Sequence, residues 1–134
     1  MSAPLLDVAS AAPVDDPPRY AVWLAYLQSH VAAGRLHAKN VRALWERLRR
    51  TQVHGLGVPD AALNEDACLV IWWDSTTYHI EMEFRADGKF EWFWRNRITD
   101  AFGGSDGAAV AEPPSVLLEQ LRLLVQDMAK QEAR

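Results

Sequence analysis

The chain reads as an α+β domain: two amino-terminal helices, a three-stranded antiparallel β-meander, and one carboxy-terminal helix packed on the sheet. Three observations predict this. Within residues 67–97, Tyr78, Ile80, Met82 and Phe84 alternate with His79, Glu81, Glu83 and Arg85, the period of a strand with one face in a core and the other toward water. Apolar residues recur at helical spacing before this stretch, at Tyr20, Trp23, Leu24, Leu27 and Val31, and after it, at Leu117, Leu121, Leu124 and Met128. The segments between these blocks are rich in glycine, proline and other turn formers.

Residues 1–15 hold few large apolar groups and cannot bury enough surface to offset the entropy of ordering, so they are expected to form a flexible tail. The single α+β domain then occupies residues 16–134. Asp16-Pro17-Pro18 marks a helix start, the aspartate as cap and proline in the first turn, where no amide donor is required. Gly34 ends that helix. A second helix begins near residues 37–40 and runs to about Arg50, with Val41, Leu44, Trp45 and Leu48 as its stripe. Residues 51–66 read as a connecting loop, and residues 100–112 (DAFGGSDGAAVAE) as a glycine-rich linker. That linker lacks the lysine and hydroxyl ending of a phosphate-binding loop. The last helix starts at Pro113-Pro114-Ser115 and reaches about Lys130. Val116, Leu117, Leu121, Leu124 and Met128 make its main stripe, and Leu118, Leu123 and Val125 widen it. Such width suits burial against sheet and helices, or partly against a second copy in a homodimer.

Strand parity decides which residues share a face. A two-residue turn at Asp87-Gly88 would set Phe84 against Glu91 and run the apolar face of one strand into the charged face of the next. A three-residue loop, Ala86-Asp87-Gly88, with Gly88 left-handed in a bulge, instead sets Phe84 opposite Phe90, Met82 opposite Trp92 and Ile80 opposite Trp94. His79, Glu81, Glu83, Glu91, Phe93 and Arg95 are then left on the other face. Trp72 and Trp73 are adjacent and cannot both point one way. A four-residue connection, Asp74 to Thr77, sends Trp73, Ile71 and Leu69 to the core and Trp72 and Val70 outward.

Composition narrows the function classes. Apolar residues make up 49% of the 134 residues and charged residues 24%, as in an ordinary globular protein long enough for one core. No apolar run approaches the roughly 20 residues that cross a bilayer, and the start lacks the basic and apolar regions of a secretory signal; the expectation is a cytoplasmic protein without a membrane partner. Cys68 is the sole cysteine, which excludes an internal disulfide, and its place at a strand start suits a small filler. His30, His37, His54 and His79 show no metal-ligand spacing, so neither a structural metal nor another cofactor is expected.

Three candidate sites remain. The first is the outer sheet face, where Trp72 and Phe93 stand among His79, Glu81, Glu83, Glu91 and Arg95. Aromatic anchors ringed by charge resemble protein interfaces in make-up, and the acids suit a basic protein partner. The expected function is therefore non-enzymatic protein binding, as by an inhibitor, immunity protein, antitoxin or adaptor. A helix covering this face is the competing expectation. The second candidate is the basic stretch 35–50, in which Arg35, Lys39, Arg42, Arg47, Arg49 and Arg50 could meet phosphates and make the chain a nucleic-acid-binding regulator. The net charge of −4 and the absence of a recognised motif place nucleic acid behind protein, and a solvated face is the plainer reading. The third is a small enzyme using His79, Glu81 and Arg95 for acid-base chemistry. An open sheet offers these groups no water-excluding pocket, so cross-strand charge pairing is the simpler role.

Overall fold

A computed structural model describes residues 17–109 and 113–132. The expected tail, the Asp16 cap and part of the glycine-rich segment lie outside the described residues. Helix α1 (Pro17–Ala32) and helix α2 (Ala38–Arg47) are followed by a π-helical turn (Leu48–Gln52). Five strands come next, β1 (Asp60–Leu63), β2 (Leu69–Asp74), β3 (Tyr78–Phe84), β4 (Lys89–Asn96) and β5 (Phe102–Ala109), and helix α3 (Ser115–Glu132) follows. The strands form one antiparallel sheet in the order β1-β2-β3-β4-β5, each paired with its neighbour in sequence.

The α+β class and the three helices match the sequence reading; the strand count does not. Residues 60–63 (DAAL) are a strand rather than loop, and residues 102–109 (FGGSDGAA) are a strand rather than linker. Each adds an edge to the expected three-stranded meander. Alanine and glycine carry little strand propensity, but an edge strand needs only backbone donors and acceptors in register with its neighbour. Gly103 has a further reason to lack a side chain: a Cβ there would lie 2.6 Å from the Trp94 indole nitrogen, the close approach that glycine permits within a strand.

The β3–β4 hairpin has the expected three-residue loop. Gly88 sits at φ +88, its amide donates to the Arg85 carbonyl, and the Arg85 amide donates to the Lys89 carbonyl at 3.0 Å. Phe84 pairs with Phe90, Met82 with Trp92 and Ile80 with Trp94. The β2–β3 connection is tighter than expected. The Ser75 amide donates to the Tyr78 carbonyl at 2.8 Å and Trp73 pairs with Ile80 rather than with Tyr78, so Thr76 and Thr77 alone form the turn. A shift of two residues preserves parity, and the faces are unchanged.

One core lies between the sheet and the helices. Leu69, Ile71 and Trp73 of β2, Ile80, Met82 and Phe84 of β3, and Phe90 and Trp92 of β4 are buried together with Val41, Leu44, Trp45 and Leu48. Helix α3 adds Leu117, Leu121 and Leu124, each burial stabilising by about 1.5–3 kcal/mol. Val116, read as part of that stripe, is exposed, because it lies in the first turn of the helix one position before Leu117, where the inward face begins. Trp45 and Trp73 donate their indole N–H to the same acceptor, the Gly57 carbonyl, at 2.9 and 2.7 Å. These two bonds fix the loop that delivers the chain into β1.

Candidate functional site

The face of the sheet opposite the core is built in rows by strand pairing. At the end near the β2–β3 and β4–β5 turns stand Asp74, His79, Arg95 and Phe102, each directly opposite the next. The central row is Asp60, Trp72, Glu81, Phe93 and Gly104, and the third is Ala62, Val70, Glu83 and Glu91. None of these residues is buried, so no described helix covers the face. All seven residues named from the sequence, Trp72, His79, Glu81, Glu83, Glu91, Phe93 and Arg95, share it.

Pairing across strands also brings residues that the sequence reading did not include. Phe102 is 70% exposed and its ring centroid lies 6.3 Å from that of Phe93. Ile98, 75% exposed, lies in the β4–β5 turn that leads to it, where the Asn96 side-chain oxygen accepts from the amides of Ile98 and Thr99 at 2.9 and 3.0 Å. The face therefore has an apolar shoulder at its β4–β5 side. Recognising β5 as a strand was the signal that would have found Phe102.

Polar contacts order one end of the face. His79 lies between two acids, Nδ1 at 2.7 Å from Asp74 Oδ1 and Nε2 at 2.8 Å from Glu81 Oε1. An imidazole donates to both only when both ring nitrogens carry protons. Arg97 pairs with Asp74 and also donates to the Ser75 and Tyr78 carbonyls at 2.7 and 3.1 Å, tying the two turns together. Burial pushes the Asp74 carboxyl up, but hydrogen bonds from Arg97 and His79 outweigh it and hold the group below the usual aspartate range.

The opposite end carries unbalanced negative charge. Glu83 and Glu91 face each other across β3 and β4, and among the described residues the cation paired with Glu91 is Arg85, at 3.9 Å. Asn64 donates to Glu83 through its side-chain amide. Burial first, then the neighbouring Glu91 carboxylate, raises the Glu83 carboxyl above the ordinary glutamate range, against the opposing pull of Asn64. Burial, followed by Glu83 and Asp66, likewise raises the Cys68 thiol, which keeps it in the unreactive protonated form.

In the other two candidates the fold keeps some residues in place and draws others away. In the basic segment, Arg49 is 5% exposed with its guanidinium 4.9 Å from the Trp45 ring centroid. The wider π-helical turn rotates it inward, which corrects its assignment to a solvated face. Arg42 pairs with Glu46 at 2.8 Å, Glu46 also meets Arg50 at 3.8 Å, and Arg35 contacts His30 Nδ1 at 3.1 Å. Lys39 and Arg47 are exposed. In the catalytic candidate, His79 and Glu81 do meet, but Arg95 directs its guanidinium to Asp100 at 2.7 Å. Neither of two clefts among the described residues holds these groups: one of about 530 Å³ between α1 and β1 is walled by Val22, Tyr26 and Pro59 and reaches Asp60 at the edge of the face, and one of about 230 Å³ lies between α1 and α2.

Among the described residues no group of three or more His, Cys, Asp or Glu side chains is placed to hold a metal ion. No described helix is long and apolar enough to cross a membrane. No protein-family model, no curated protein and no solved structure matches the chain.

Proposed function

We propose that the chain is a non-enzymatic protein-binding module that docks a basic protein partner on the outer face of its sheet, as inhibitors, immunity proteins, antitoxins and adaptors do. The observation that carries this reading is the central row, where two large aromatic side chains, Trp72 and Phe93, stand on a face that no described helix covers. Aromatic side chains on an exposed face are not needed to close the core, which is complete on the other side. They supply the apolar centre of an interface, and the surrounding carboxylates supply its rim.

Size sets what else takes part. Five strands span about 19 Å across, and seven residues run about 23 Å along a strand, a projected area of roughly 440 Å². A standard interface takes about 800 Å² from each partner, so the partner also reaches the Ile98 turn and the Phe102 shoulder. The acids raise the association rate more than the final affinity, and added salt slows association by screening them.

The test uses the partner that co-purifies with the chain, identified by mass spectrometry and then prepared pure. Phe93→Ala combined with Glu91→Lys leaves the melting transition in place and abolishes binding between the two purified proteins. Binding at wild-type strength by that variant removes this surface from consideration.

A further inference from the structure

The geometry points to a seat for one cationic side chain, an arginine of the basic partner, at Glu81, which stands between Trp72 and Phe93 on the open face. This rests on the docking reading above and adds the chemistry of the partner's anchor. Trp72, Glu81 and Phe93 are directly paired on three consecutive strands, so the two aromatic residues flank the carboxylate at about two strand spacings, roughly 10 Å backbone to backbone. The Glu81 carboxylate itself occupies the middle of that span, one strand spacing, about 5 Å, from each aromatic residue, so a cation bound to it sits within reach of both. The Glu81 side chain is 42% exposed and commits one oxygen to His79. Its second oxygen has no partner among the described residues and is available to a donor from outside.

The charges on the face favour a cation there. Asp60 is paired with Arg19, Asp74 with Arg97 and His79, and Arg95 with Asp100. What remains is Glu81, which shares His79 with Asp74, and the facing pair Glu83 and Glu91 in the adjoining row, where Arg85, itself paired with Asp87, lies 3.9 Å from Glu91. A guanidinium there would stand beside the two aromatic side chains, bond the free Glu81 oxygen and relieve repulsion in the next row. Arginine fits better than lysine because its planar fork stacks and donates at the same time. The exposed Phe102 and Ile98 side chains receive the apolar residues beside that arginine.

The experiment titrates N-acetyl-arginine amide into the isotope-labelled full chain and follows the Trp72 indole N–H and the amides of Glu81, Phe93 and Gly104 by NMR. N-acetyl-citrulline amide, the uncharged isostere, is the control. Saturable shifts at these four positions with arginine and none with citrulline are expected. Glu81→Gln weakens the arginine by about tenfold, as loss of a charged hydrogen bond does, and Trp72→Leu by roughly threefold through loss of the aromatic wall. Equal shifts with citrulline, arginine shifts clustered instead at Asp66 and Asp87, or unchanged affinity in Glu81→Gln would each overturn the inference. Loss of partner binding in Phe93→Ala/Glu91→Lys without any saturable arginine shift would keep the docking face and remove the arginine seat. Saturable arginine shifts with partner binding indifferent to those substitutions would keep the seat and remove the docking face.

Discussion

Gly88→Val probes the turn on which the assignment of faces depends. Gly88 has φ +88, and a Cβ built there meets nothing within 4 Å, so steric crowding adds nothing to the cost and only backbone conformation counts. A left-handed backbone costs an L-residue about 1–2 kcal/mol, and a β-branched residue falls at the upper end. Asparagine tolerates this region better, so Gly88→Asn should lose well under half as much. Urea denaturation measures both, with an unchanged slope showing that stability rather than compactness has moved. In thermal melts each kcal/mol lowers the midpoint by roughly 3–6 °C for a chain of this size. A valine variant within about 0.5 kcal/mol of wild type, the range of an ordinary surface substitution, would refute the bulged turn. With it would go the pairing of Phe84 with Phe90 and the separation of apolar from charged side chains.

Other substitutions test neighbouring parts of the structure. Arg49→Ala should destabilise by about 1–2 kcal/mol, through lost packing and the contact with Trp45, whereas the exposed Arg50→Ala stays within about 0.5 kcal/mol in the same urea series. Gly103→Ala forces the Trp94 indole aside and should cost about 1 kcal/mol, the low end for overpacking because Trp94 is only half-buried; thermal melts report it. Glu91→Gln tests the raised Glu83 carboxyl. The folded state holds the Glu83 proton more tightly than the unfolded state, so stability falls as pH rises from the ordinary glutamate value of about 4.3 through the raised value. Glu91→Gln should therefore match wild type below that window and exceed it above by about 0.2–1 kcal/mol, the cost of like charges directly opposite. In NMR titrations Glu83 should shift back toward its ordinary range.

What was legible in the sequence followed from periodicity. Strands β2 to β4 alternate cleanly, and the Ala86-Asp87-Gly88 loop admitted one register that kept Phe84, Met82 and Ile80 opposite aromatic partners. The same reasoning placed Trp72 and Phe93 together on the outer face. The edge strands were not legible. In β1, two alanines and a length of four give no alternation to detect, and the segment becomes a strand because the loop before it is held by Trp45 and Trp73 on the Gly57 carbonyl. In β5 the glycines read as breakers, although Gly103 is required by a tryptophan ring on the adjacent strand. A single-sequence pattern carries no record of that ring. Phe102 was missed for the same reason. Arg49 was misplaced because a charged residue was assigned to water by type, whereas one wide helical turn carries it over an indole.

Water access to adjacent tryptophans gives the most direct measurement of the exposed aromatic face. A soluble gadolinium chelate broadens NMR signals near the surface, and the indole N–H resonances of the chain are separate reporters. The Trp72 indole should broaden strongly, while those of Trp45 and Trp73, buried and donating to the Gly57 carbonyl, should keep their intensity. Protection of Trp72 to the same degree as Trp73, or broadening of Trp73 in its place, would contradict the open face and the strand parity that creates it.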